Sequence, residues 1–155
     1  MAKDLSTMID DVKLNVRVGA ILEYQGKILI EKCGSIDFAV IPGGRIQTEE
    51  NSKDALVREI QEELGIDISN EEMTLMSVIE NFFEFENKKY HELYFVYKVI
   101  LNDNYEITDG MENQDSHKSN YYLIDYNELG NVKMLPEVLK TIAKSNTFES
   151  YIVNE

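Results

Sequence analysis

Pro42-Gly43-Gly44-Arg45-Ile46-Gln47-Thr48-Glu49-Glu50 leads, seven residues later, into Arg58-Glu59-Ile60-Gln61-Glu62-Glu63-Leu64-Gly65-Ile66. These two runs carry the reading of the whole chain. Pro42 fixes one dihedral and the paired glycines accept backbone shapes that other residues avoid, so the short apolar strand Phe38-Ala39-Val40-Ile41 stops here. A helix is predicted from about Ser52 to Leu64, with Asn51 as its cap and Gly65 just past its last turn. Asp54 stands in the first turn, where a carboxylate meets free backbone donors. Leu56, Val57, Ile60 and Leu64 form one apolar stripe, and burying that stripe must hold a helix too short to be stable alone.

Glu59, Glu62 and Glu63 are spaced i, i+3, i+4, so they project from one side of this helix, beside the apolar stripe. Three neighbouring carboxylates repel one another, and without a partner some would be driven to take up protons. A hard divalent cation removes that conflict. Magnesium favours carboxylate oxygens and bridges to phosphate groups, with manganese as the alternative ion. Such ions can screen the oxygens of a diphosphate and acidify a water for in-line attack. In that scheme Glu59 is the first candidate for general base or shared ligand, with Glu62 and Glu63 as ligands. The Gly43 carbonyl, with no side chain to block it, is a further candidate ligand. Arg58 points about 100 degrees away from Glu59 around the helix. It has two readings: a bidentate clamp on Glu50, or direct contact with phosphate.

Working outward, Leu14, Val16, Val18, Ala20 and Leu22 alternate with mostly polar neighbours, the period of a half-buried strand. Gln25-Gly26 permits a turn and Ile28-Leu29-Ile30 begins the returning strand. Residues 74–85 and 90–101 read as two strands joined by a turn at 86–89, residues 102–120 as a polar loop, and 121–124 as a short strand. A second helix is expected from Leu135 to Ala143, with Pro136 near its start. This layout is α+β, with helices packed on a mixed or antiparallel sheet. Residues 1–155 read as one domain with a core over 12–144 and loosely held ends.

Composition bounds the partners. Against 15 basic residues stand 29 acidic ones, a formal net charge of -14, and such a field repels duplex nucleic acid. No run approaches the roughly 18 apolar residues needed to span a bilayer, and the start of the chain reads as no secretory signal. One cysteine, Cys33, excludes an internal disulfide framework and agrees with a cytoplasmic setting. A homodimer is left open.

Counted from Gly44, Glu50 follows after five residues and Arg58-Glu59 after seven more, then Ile60, Glu62-Glu63, Gly65 and Ile66. The pattern spans 23 residues and fixes nine of them, and it resembles the complete signature of the Nudix hydrolases. The resemblance implies an α/β/α sandwich with a mixed central sheet and a glutamate-rich catalytic helix. It also implies magnesium-dependent hydrolysis of a nucleoside diphosphate linked to a variable group, or of a nucleoside triphosphate. Relatives place metal on residues matching Glu59, Glu62 and Glu63, often with Glu50 assisting, and supply one more carboxylate from a later loop. Here Glu112 is the candidate, with Asp109 and Asp115 in competition. A nucleotide-binding module of the same shape, without catalysis, is the alternative. Markers that relatives carry for ADP-ribose (a proline) and for dinucleoside polyphosphates (a tyrosine) are missing beyond the signature, where Asn81, Phe82 and Phe83 stand.

For substrate binding four residues are candidates, each with a plainer role beside it. Arg45 follows the glycines and can meet phosphate or solvent. Asn81 can read a base edge or cap a turn. Phe83 can stack on a base or fill the core, and its face of the strand is opposite that of Phe82. His91 can donate to phosphate or make a structural bond, and its neighbour Glu92 points to the other face of the sheet.

Overall fold

A computed structural model describes residues 1–155. Strands β1 (Ser6–Ile9), β2 (Val12–Tyr24), β3 (Lys27–Cys33), β4 (Ala39–Val40) and β5 (Gly43–Arg45) precede helix α1 (Ser52–Leu64). After it come β6 (Thr74–Phe85), β7 (Lys88–Leu101), β8 (Ser119–Asp125), a 3-10 helix (Tyr126–Asn131), α2 (Leu139–Ala143) and β9 (Tyr151–Asn154). No helix is long and apolar enough to cross a membrane.

The sheet is mixed, as the resemblance implies. Its order is β4-β3-β2-β7-β6-β9, with β1 and β5 also on β2, and β8 also on β3. Strand β2 lies parallel to β7 along its whole length, from Val12 opposite Lys89 to Tyr24 opposite Leu101. Its other edge is shared in turn by β1 at residues 12–15, β5 at 17–19 and β3 at 23–24. Gln25 and Gly26, both with positive φ (52° and 76°), make the tight turn between β2 and β3, and Glu86-Asn87 (51° and 64°) do the same between β6 and β7.

Alternation along the strands splits the core into two layers. Val18, Ala20, Leu22, Tyr97 and Val99 face α1 and meet Leu56, Ile60 and Leu64. Ile21, Ile28, Ile30, Tyr94 and Val96 face the other way and pack on Leu139, Ile142 and Ala143 of α2. Each fully buried aliphatic side chain contributes about 1.5–3 kcal/mol of burial, which is what pins α1 to the sheet. Its ends are as expected: the Asn51 side chain accepts from the Asp54 amide at 2.9 Å, and Gly65 at φ 71° returns its N–H to Gln61 O.

Three expectations need correction. Both ends, expected to be loosely held, form strands: β1 pairs with β2 antiparallel and β9 with β6 parallel, because each finds free backbone groups on a neighbouring edge. The second helix starts at Leu139 instead of Leu135. There the Leu135 amide is already committed to Ala39 O and Met134 bridges to Ala39, so the chain is still extended at that point. Within the polar stretch 102–120, Gly110, Met111 and Glu112 pair back onto Asn120 and Tyr121, so it is a fastened loop.

Candidate active site

The two glycines of β5 act as a seat. Gly43 and Gly44 pair with Gly19 and Val18 of β2. At Gly43 (φ 151°) any Cβ would run into the backbone of Val18, and at Gly44 it would overlap the carboxylate of Glu59. The Gly43 amide then donates to Glu63 Oε1 at 3.1 Å. Glycine is thus required twice, for two reasons: the β2 backbone leaves no room beside Gly43, and the Glu59 carboxylate lies directly against Gly44.

Arg58 takes the clamp role. Its Nε and Nη2 donate to the two oxygens of Glu50 at 2.8 and 2.9 Å, Nη1 donates to Glu59 Oε1 at 2.8 Å, and Nη2 also reaches Arg45 O at 2.9 Å. This bidentate pair holds the Glu50 carboxyl below its usual range, and the Gln47 amide adds a further bond to Glu50 Oε1. With both oxygens engaged, Glu50 braces the loop in this arrangement. Glu62 is more exposed and touches Arg58 only at 3.5 Å.

Glu63 is buried, and its carboxyl is pushed up to about 8, first by desolvation and then by the charges of Glu31 and Glu59. Burial likewise raises Glu59. No three acidic, His or Cys side chains converge on a common point in this arrangement. Glu31, on β3, escaped the sequence reading. It sits in a network where Asn113 Nδ2 donates to Glu31 Oε2 at 3.1 Å, approaches Glu63 Oε2 at 3.5 Å, and the Ser119 hydroxyl adds a bond to Glu31 at 2.5 Å. Its one visible signal was a carboxylate directly after the apolar run Ile28-Leu29-Ile30, still within the strand.

The later loop therefore reaches the helix through Asn113 and Gln114, whose amide donates to Glu63 O at 2.9 Å. Glu112 is exposed and lies 3.6 Å from His117 Nδ1, with no bond to the α1 glutamates. Asp109 accepts from the Leu123 amide, and the Asp115 amide donates into the side chain of Asn113.

On the α2 side of the sheet opens a cavity of ≈ 590 Å³, lined among others by Asn15, Arg17, Arg45, Asn81, Phe83 and Glu92. Three of the four sequence candidates are there. Arg45 also reaches Asp4, at 3.6 Å, and Phe83 stacks on Tyr90 with centroids 4.8 Å apart. His91 is not. It lies on the opposite face, against Phe82 at 4.4 Å, since neighbouring residues on a strand point to opposite sides. Asn15, Arg17 and Glu92 were not singled out for this cavity from sequence. Arg17 stands opposite Arg45 in the β2–β5 pairing and feels the charges of Glu92, Glu59 and Glu63, so it links the cavity to the glutamate cluster.

A mixed sheet between helices, with an arginine-braced carboxylate cluster on a glycine strand, defines an α+β sandwich. The chain belongs to the Nudix family: the family model described as NUDIX domain matches residues 13–144. Among solved structures it resembles a MutT protein from Bacillus halodurans (TM-score 0.72, 15% identity, 90% of each chain covered). It also resembles a MutT Nudix hydrolase from Burkholderia pseudomallei (TM-score 0.64, 20% identity, 85% of this chain and 98% of the other). In sequence it is 33% identical over 76 residues to an 8-oxo-dGTP diphosphatase of Proteus vulgaris, covering 46% of this chain. It is 42% identical over 57 residues to a CTP pyrophosphohydrolase of Escherichia coli, covering 32% of this chain. These matches span 66% and 40% of the two relatives' own lengths.

Proposed function

We propose that this chain hydrolyses a phosphoanhydride bond in a nucleoside diphosphate derivative or a nucleoside triphosphate, with magnesium (or manganese) as its cofactor. One observation carries the reading: half-buried Glu59 and buried Glu63 lie against the Gly43-Gly44 strand, and Arg17, which lines the cavity together with Arg45, feels the charges of both. Family membership brings phosphoanhydride hydrolysis of a nucleotide-like substrate, and the diphosphatase and pyrophosphohydrolase activities named for the two sequence relatives agree with it.

The donor set fits a hard divalent cation. Glu59, Glu62 and Glu63 offer oxygen alone; desolvation, and then the charges of Glu31 and Glu59, raise Glu63, and a bound cation would offset both. Bound there, magnesium would screen phosphate oxygens and lower the pKa of a water. The chain's own groups do the rest. Arg17 and Arg45 hold the phosphates in place from the cavity side. Glu59, with one oxygen fixed by Arg58, accepts the proton of the attacking water. The water oxygen bonds to phosphorus as the bridging P–O bond breaks, and the leaving phosphate departs as an anion. A diphosphate derivative yields a nucleoside monophosphate and a phosphorylated second product, and a triphosphate yields pyrophosphate.

The test is a panel of nucleoside triphosphates and diphosphate derivatives with magnesium or manganese, with separation of the products. Turnover of at least one member is expected. Glu59→Gln, Glu62→Gln and Glu63→Gln should each lower kcat by about 100-fold or more while remaining folded. Saturable binding with no turnover across the panel would leave a binding module in place of an enzyme.

A further inference from the structure

The floor of the cavity is a polar row laid across three strands. Asn15 of β2 stands opposite Glu92 of β7, and Glu92 stands opposite Asn81 of β6. All three are nearly inaccessible: 1%, 6% and 4% exposed. The neighbouring rows are aromatic. Phe83 and Tyr90 stack on one side, and Tyr94 lies on the other beside Arg17. A row of polar side chains in a buried sheet face is costly unless its hydrogen-bonding groups are used.

Much of that capacity has no use within the protein. Asn15 is committed, accepting from the Ser6 hydroxyl at 2.6 Å and donating to Glu92 Oε2 at 2.7 Å. It fixes the Glu92 carboxylate in place. Glu92 Oε1 has only Arg17 Nε at 4.0 Å, too far for a hydrogen bond. Asn81 Oδ1 is buried with no partner at all, so no protein group locks that carboxamide.

We infer that Glu92 and Asn81 select a guanine-type base, and that this cavity is the base subsite of the nucleotide site proposed above, on which the inference rests. An oriented carboxylate accepts two parallel N–H bonds, one from each oxygen. Among the common bases only guanine offers a ring N–H next to an exocyclic amino group. Adenine and cytosine offer the amino group but turn a ring lone pair toward the carboxylate. Uracil and hypoxanthine offer the ring N–H without the amino group. Asn81, directly beside Glu92 and locked by no protein group, can turn its carboxamide so that Nδ2 donates to the carbonyl next to guanine's ring N–H. Phe83, Tyr90 and Tyr94 give the ring apolar contact. The two sequence relatives act, by name, on an oxidised guanine nucleotide and on a cytosine nucleotide, so they leave the base undecided and the row decides it.

Equilibrium binding of GMP, IMP, AMP and CMP to the full chain reads the base without depending on turnover. IMP differs from GMP only by the missing amino group. GMP should bind about tenfold or more tightly than IMP, the usual effect of losing one hydrogen bond to a charged acceptor. Glu92→Gln, which keeps the shape but removes the second acceptor, should bring the GMP-to-IMP ratio close to one. If that variant does not fold, the wild-type series decides alone. Equal affinity for GMP and IMP, or tighter binding of AMP or CMP, overturns the inference. Turnover of GTP, ITP, ATP and CTP separates it from the enzyme reading. Hydrolysis at equal kcat/KM overturns base selection and leaves the enzyme standing. A GMP preference without turnover supports base selection and overturns the enzyme.

Discussion

Glu63 shows what a single residue gives up for this site. Its carboxyl is raised from the usual 4.5 to about 8, so the metal-free folded protein holds a proton that the unfolded chain releases. Between those two values the folded state binds more protons than the unfolded state, so stability falls as pH rises through about 4.5 to 8, then levels off. Melting the metal-free protein from pH 5 to pH 9 should show Tm falling across that window. Glu63→Gln should reduce the fall, and an unchanged slope in the variant would show that Glu63 is not its source. At this scale the glutamates of α1 were legible, because their spacing fixes their side of the helix with no knowledge of the rest. Glu31, Arg17 and Glu92 were not. A strand residue has two faces to choose from, and which face borders the cavity depends on β2 lying beside β7, a pairing between residues about 77 apart in the chain.

At the scale of elements, the helix, its caps and its apolar stripe followed from local chemistry, and the structure reproduces them. The unit that matters is larger than the helix: β5, the following loop and α1 are tied together by Arg58, whose guanidinium bonds Glu50, Glu59 and the Arg45 carbonyl. Arg58→Lys keeps the charge but cannot make the paired bond to Glu50. Losing charge-assisted bonds in a partly buried setting should lower stability by roughly 1.5–3 kcal/mol. It should also lower kcat more than it raises KM, since Glu59 loses its anchor while the cavity is untouched. Chemical denaturation and steady-state kinetics on the purified variant check both. The start of α2 was misread because Pro136 suits a helix start, whereas the Leu135 amide is claimed by Ala39, far away in sequence.

For the whole molecule, the ends close the sheet. β9 covers the outer edge of β6 through pairs from Ile79–Tyr151 to Phe82–Asn154, and the Glu155 amide extends that seam to Phe82 O. Tyr151, Ile152 and Val153 suit a strand, but so short a run carries little local signal, and its strand exists because β6 supplies the partner. Ending the chain at residue 149 should uncover Ile79 to Phe82 on the edge of β6. A lower Tm and concentration-dependent association are expected, read by calorimetry and light scattering. A truncated protein that melts like the full chain and stays monodisperse would refute this.

Strand β2 serves three neighbours on one border and a single long one on the other. Asn15, Arg17 and Gly19 occupy successive places on its same side, so a slide of one residue would turn all of them away together. The proposed base recognition, the proposed grip on the phosphates and the room for Tyr94 beside Gly19 thus share one alignment. Evolution can retune this pocket by exchanging side chains but has no route through shifting the strand, because the same movement would dismantle the sheet.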